Sequence, residues 1–310
     1  MTVALFTHPA GLEHDTGPGH PECADRLRAV LQALEHPDFV PLLREPAPEA
    51  TAAQLELAHP AEYVQAILAI QPADGERIHL DPDTLLSHGS RGAILREAGG
   101  ACAAVDAVME GWASAAFCAM RPPGHHAERA RPMGFCLFNG AAIAALHARA
   151  RWGLRRVAVV DFDVHHGNGT QDIFERDPDL LYISSHQSPC YPGTGDADET
   201  GVAQNILNLP LRPGTGSAGF RAAWERQGLP ALRGFKPELV ILSAGFDAHK
   251  ADPLAELQVE TADFGWITDQ LMAAADECCG GKLVSVLEGG YDLQALAASA
   301  ALHVRRLMRQ

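Results

Sequence analysis

Four short apolar runs, each delivering chemically active residues at its end, constrain this chain more than any other feature. They are VAVV (157–160), AFCAM (116–120), LVILSAG (239–245) and KLVSVLEGG (282–290). Apolar runs of this length read as buried strands. Behind them come DFDVHHGNGTQ (161–171), RPPGHH (121–126), FDAH (246–249) and YD (291–292). Ligands of open α/β sheets bind beyond the carboxyl ends of the strands, so four such deliveries point to one shared crevice.

DFDVHHGNGTQ is the densest of them. If the extended conformation of the strand continues, Asp161, Asp163 and His165 fall on one face at period two. Carboxylate oxygen and imidazole nitrogen suit a borderline divalent ion, and a site with three protein ligands keeps a position for water and substrate. One more carboxylate is then needed from elsewhere in the chain. A polar loop or helix N-terminus that merely contains Asp and His is the plain alternative, and the strand-then-loop context weighs against it.

Six segments in order carry a resemblance: RPPGHHA, GFCLFNG (134–140), DFDVHHGNGTQ, YPGTG (191–195), AGFDAHKADPL (244–254) and LEGGYDL (287–293). Together they resemble the histone deacetylase superfamily, which includes bacterial class II-like deacetylases, acetylpolyamine amidohydrolases and acetoin-utilisation proteins. HDTGPGHPECADRL (14–27) is similar to that family's N-terminal signature, so the likeness runs from about residue 14 to about residue 295. It implies the arginase/deacetylase-like fold, a three-layer α/β/α arrangement in which a central, mainly parallel β-sheet is flanked by helices on both sides.

The resemblance also implies roles. Asp163, His165 and Asp247 take the metal positions, for Zn²⁺ and with Fe²⁺ also compatible. His126 matches the general base and acid, oriented by Asn168, and His125 its electrostatic partner, held by Asp161. Tyr291 matches the oxyanion donor. Gly134, Phe135 and Tyr191 match the walls of a channel for a lysine stem, with Leu254 at its rim. Arg26 falls near an internal tunnel in the family, a surface helix charge being the competing reading. Potassium is expected as well: Asp161, Asp163, His165, Ser184 and Ser185 match an inner site, and Phe174, Asp177, Leu180 and Asn205 an outer one.

Two departures sort the relatives. Gly167 stands where binuclear arginase-like sites need an Asp, so one transition metal is expected. Leu254 stands where the polyamine-selective eukaryotic branch carries a glutamate. That favours an acyl-lysine protein or peptide over an acetylated polyamine, with a non-catalytic acyl-lysine binder of the same fold as a rival. GTGSAG (214–219) fits the GxGxxG pattern, but it follows Pro213 outside a first strand-turn-helix unit and reads as a turn and helix start. No GxSxG elbow exists to serve a serine hydrolase.

Composition adds bounds. With 310 residues and 47% hydrophobic content, residues 1–310 are expected to form a single catalytic domain. The Pro and Ala cluster at 46–53 is expected to connect two early helices. A net charge of −15 and the lack of a basic stripe disfavour nucleic acid, and favour basic substrates if they favour any. No run is long enough to span a membrane and no leader pattern opens the chain. A cytoplasmic setting is therefore expected, and seven cysteines with no CxxC pair suit reduced thiols, with Cys136 packing in the core and Cys190 at a rim. Oligomeric state is left open. Strands are expected at 3–7, 115–120, 156–162, 180–185, 204–209, 238–243 and 282–287, with helices between most of them.

Overall fold

The computed structural model describes residues 2–310. Ten strands run in chain order: β1 Val3–Thr7, β2 Leu43–Pro46, β3 Arg77–His79, β4 Leu85–Ser87, β5 Ala115–Cys118, β6 Val157–Asp161, β7 Leu180–Gln187, β8 Ile206–Leu211, β9 Leu239–Ala244 and β10 Leu283–Leu287. Eight of them form one sheet in the order β2-β1-β5-β10-β9-β6-β7-β8, and every pairing in it is parallel. The seven expected strands are all present. The sequence reading missed β2, a short edge strand ending in proline with no buried face, and the small antiparallel β3–β4 hairpin.

Alternation along the strands divides the interior in two. Val157 and Val159 pack on one side of the sheet with Val105 and Ala145, from helices Ser90–Glu110 and Gly140–Trp152. Ala158 and Val160 pack on the other with Phe264, Leu271 and Val304, from helices Thr261–Cys279 and Leu293–Leu307. Both faces of β6 are therefore covered, which is why its sequence is apolar without interruption. Each fully buried valine contributes roughly 1.5–3 kcal/mol relative to exposure. The result is the α/β sheet with helices on both sides.

The central strands position the site. β5, β10, β9 and β6 are adjacent, in that order, and they are the four apolar runs that lead into the His, Tyr and Asp segments. The Pro and Ala cluster at 46–53 does not join two helices. It leads from edge strand β2 into helix Ala52–Leu55, which Thr51 and Gln54 open with a capping box. GTGSAG makes a turn and enters helix Ser217–Ala223.

Candidate active site

Strand β6 ends at Asp161, and the extended run does not continue to His165. Carboxylates bend it. Asp161 Oδ1 accepts the Asp163 N–H at 3.1 Å, Asp163 Oδ1 accepts the His165 N–H at 2.8 Å, and Asp247 Oδ1 accepts the Val164 N–H at 2.8 Å. The bends part Asp161 from the other two, correcting the expectation of three side chains on one face. Asp163 and His165 meet Asp247 from β9 instead, with ligand atoms all within 4.8 Å of one another. His165 Nδ1 lies 3.1 Å from Asp163 Oδ1 and 3.2 Å from Asp247 Oδ2.

All three are buried. Burial and the neighbouring Asp163 push the Asp247 carboxyl up to about 7. For Asp163 burial acts upward too, but the charges of His125 and His165 outweigh it and hold the group below the usual carboxylate range. His165 moves the other way: burial opposes its charge, yet Asp163 and Asp247 hold its proton well above the ordinary imidazole range. Two buried acids crowded around one imidazole form a donor set that a divalent cation satisfies. The backbone leaves room for these two carboxylates. A Cβ at Gly289 would collide with the carboxylates of Asp247 and Asp163, and one at Gly245 with Asp163. The residues present therefore fit the expected metal.

His125 and His126 follow β5 side by side, ring centroids 4.1 Å apart. His125 Nδ1 is 3.0 Å from Asp161 Oδ2, which also accepts the Tyr182 hydroxyl at 2.9 Å. Burial opposes the charge on His125, but Asp163, Asp161 and Glu288 overcome it and push the imidazole up to about 10. His126 Nδ1 is 2.8 Å from Asn168 Oδ1. Burial, then the charges of His125 and His165, depress His126 well below the ordinary range. The pair is thus split into a cation and a neutral imidazole, the arrangement that assigns different proton-transfer duties to like groups.

Tyr291 arrives from β10, half-buried, with the Arg26 guanidinium 4.8 Å from its ring centroid. Burial raises its phenol well above the usual range despite Arg26. Arg26 is no surface charge. It is buried and donates to the carbonyls of Gly290 (2.6 Å) and Glu288. Phe135 meets the Tyr291 ring edge-on at 5.9 Å, and Tyr191 meets His126 at 5.1 Å. Gly134 and Phe135 both have positive φ (56° and 70°) in a turn closed by Met133 and Cys136. Glycine is required at 134 because a Cβ there would strike the His126 ring, whereas Phe135 is held in a conformation few bulky residues adopt. Tyr191 and Leu254 are 39% and 37% exposed, so both are accessible from solvent as rim residues must be. Cys136 is buried and Cys190 partly exposed, and all seven cysteines are free.

The expected cation sites differ. Asp161, at the end of β6, is the register partner of Ser184 in the middle of β7, which brings oxygen donors of the inner set together. Ser185 turns its hydroxyl away, to the Trp224 indole N–H at 3.1 Å. The outer set converges through hydrogen bonds instead. Asn205 Nδ2 donates to the carbonyls of Phe174 (3.0 Å), Asp177 (3.1 Å) and Leu180 (3.0 Å), so a cation there would have to displace a side-chain amide.

Several residues around the site escaped the sequence reading. Glu288 accepts the N–H groups of Gly124 (2.7 Å) and His125 (3.1 Å) and the Ser243 hydroxyl at 3.0 Å. Its signal was an acid immediately after an apolar strand. Glu22, buried, binds Arg121 at 2.6 and 2.7 Å and Arg26 at 3.2 Å. Tyr182 carried no signal, and Asp252, though inside the AGFDAHKADPL segment, gave no sign of its link to Tyr291, 39 residues away.

A histone deacetylase domain model matches residues 20–307. The chain is 42% identical to a probable deacetylase of Methanothermobacter thermautotrophicus, covering 98% of this chain and 90% of that one. It is 40% identical to the histone deacetylase-like amidohydrolase of Pseudomonas aeruginosa (92% and 77%) and 38% identical to the chloroplastic histone deacetylase 14 of Arabidopsis thaliana (98% and 76%). Among solved structures, the HDA15 HD domain superposes with a TM-score of 0.92 at 36% identity, over 100% of this chain and 88% of that one.

Proposed function

Since this chain belongs to the histone deacetylase family and is a deacetylase-type hydrolase, we propose that it removes acetyl or another short acyl group from the ε-amine of lysine in proteins or peptides. The observation that carries the reading is the Asp163–His165–Asp247 cluster, delivered from β6 and β9 among the strands that also bring His125, His126 and Tyr291. Residues 1–310 are taken to act as one catalytic unit.

Asp163, His165 and Asp247 would hold the metal, zinc in our reading. Such an ion supplies Lewis acidity, polarising an amide carbonyl and acidifying water. His126, neutral because it is buried beside the cationic His125, takes the proton from attacking water at Nε2 and returns it to the leaving amine. His125 keeps its proton under the pull of Asp163, Asp161 and Glu288 and contributes positive charge. Tyr291 stays protonated and donates to the developing oxyanion. Phe135 and Tyr191 supply apolar walls suited to a methylene stem, and the oxygens near Asp161 and Ser184 suit potassium.

Acyl-lysine is placed first because Leu254 offers no charge to a distal ammonium. An acetylpolyamine is the second reading, favoured by Asp83 and Asp81, whose charges reach the Tyr191 phenol. Metal-replete protein assayed on acetyl-, propionyl-, butyryl- and lactyl-lysine peptides beside acetylputrescine and acetylspermidine decides between them. A higher kcat/KM on any acyl-lysine is expected, and a clear polyamine preference reverses the order. Absence of turnover on both, with acyl-lysine still bound, means a binder.

A further inference from the structure

Building on the reading of His126 as proton carrier, we infer that Glu128 is a positioning residue that sets the tautomer of His126 through Asn168. The geometry is a three-member chain. His126 Nδ1 lies 2.8 Å from Asn168 Oδ1, and Asn168 Nδ2 donates to Glu128 Oε1 at 2.8 Å.

A primary amide is an ambiguous partner for an imidazole. It accepts from a protonated Nδ1 with its oxygen, or donates to a bare Nδ1 with its nitrogen after a half-turn. Asn168 on its own would therefore support either tautomer. Asp161 beside His125 has no such freedom, because an ionised carboxylate only accepts.

Glu128 removes the ambiguity one step further out. The Asn168 nitrogen faces its carboxylate, and also Met133 Sδ at 3.3 Å and the His126 carbonyl at 3.5 Å, all of them acceptors. Turning the amide over would bring its oxygen against those acceptors and leave two oxygens, both rich in lone pairs, facing each other at hydrogen-bond distance. Oδ1 is thereby held toward His126, Nδ1 carries the hydrogen, and Nε2 keeps the lone pair a general base needs. Glu128 is itself fixed by a backbone bridge to Arg131, its N–H donating to the Arg131 carbonyl at 3.0 Å. Each histidine is thus oriented by a carboxylate, His125 directly and His126 through an amide. The second arrangement fixes the tautomer while keeping the negative charge farther from the ring.

The test uses metal-replete protein labelled with ¹⁵N-histidine, whose two-bond ¹H–¹⁵N correlations report the His126 tautomer independently of activity. Wild type is expected as the Nδ1–H form. Glu128→Ala, and the shape-preserving Glu128→Gln, whose own amide can serve either orientation of Asn168, are expected to populate the Nε2–H form. If the competent tautomer falls to about a tenth, kcat falls about tenfold, with KM and metal content unchanged. Asn168→Asp introduced into the Glu128→Ala background supplies an acceptor-only partner and should restore both the Nδ1–H form and kcat. A merely structural Glu128 would not be rescued in this way. A pure Nδ1–H form in both Glu128 variants overturns the proposal. A tautomer shift with unchanged kcat upholds Glu128 as the positioning residue and instead overturns His126 as the proton carrier.

Discussion

The backbone N–H of Tyr291 donates to Asp252 Oδ2 at 2.7 Å, and the two residues are 39 positions apart in the chain. Asp252 also accepts from the N–H groups of Asp292 (3.3 Å) and Leu254 (3.0 Å). One largely buried carboxylate therefore joins the loop after β9 to the loop after β10, setting the phenol by its backbone. Hydrogen bonds to a charged group are worth about 1.5–3 kcal/mol. Asp252→Ala should lose stability of that order and lower kcat by up to about a hundredfold through misplacement of Tyr291, while metal is retained. Urea denaturation, steady-state kinetics and elemental analysis together check it. Wild-type kcat in a destabilised variant would separate Asp252 from the chemistry.

Metal content should be one transition ion per chain, and exhaustive chelation should abolish amide hydrolysis. Asp163→Asn should lower content and activity together, because an anionic donor is lost. Gly289→Ala removes no donor group, yet its Cβ would press on the carboxylate oxygens of Asp247 and Asp163, so it too should weaken metal binding. Competition with a chelator of known affinity measures both variants. Wild-type affinity in Gly289→Ala would show that the carboxylates yield at no cost.

His126→Ala and Tyr291→Phe should each reduce kcat by about a hundredfold or more with little change in KM. Neither supplies a metal ligand in our reading, so elemental analysis should find the ion still bound. Tyr291→Phe turning over acyl-lysine at the wild-type rate would make the phenol a packing group.

His303 sets a pH dependence of its own. It is buried among Phe117, Phe162 and Phe246, and burial pushes its pKa down to about 3. Thr268 gives its hydrogen to the Phe264 carbonyl (2.6 Å) and so accepts from His303 Nδ1 (2.7 Å), which leaves Nε2 to accept from Ser285 at 2.9 Å. The neutral ring is fully satisfied. Because the folded pKa lies below the unfolded value near 6.5, the unfolded chain takes up a proton first as pH falls, and stability is lost between about 6.5 and 3. At pH 5 the loss is about 2 kcal/mol. Between pH 7.5 and pH 5, wild type should lose about that much more stability than His303→Gln in urea titrations. Parallel losses would refute the assignment.

Much of the site was legible in the sequence because its chemistry is carried by short segments at strand ends. Val157–Val160 announces a strand covered on both faces, and Asp163, His165, Asp247, His125 and His126 each follow such a run within a few residues, so local pattern already named them. What local pattern could not carry was the meeting of distant segments. β9 and β10, late in the chain, insert between β5 and β6, and only that order puts Asp247 against Asp163 and Glu288 under His125. The bend after Asp161, the turn that gives Phe135 a positive φ, the Asp252–Tyr291 link and the Glu128–Asn168–His126 chain all depend on carboxylates and backbone groups finding each other in a buried, low-dielectric interior. Sequence therefore determined which residues have the chemistry and which runs form the sheet, because side-chain type and hydrophobic period are local. Tertiary structure decided which of them touch, and hence which proton sits where, because hydrogen-bond partners and charge are properties of the packed whole.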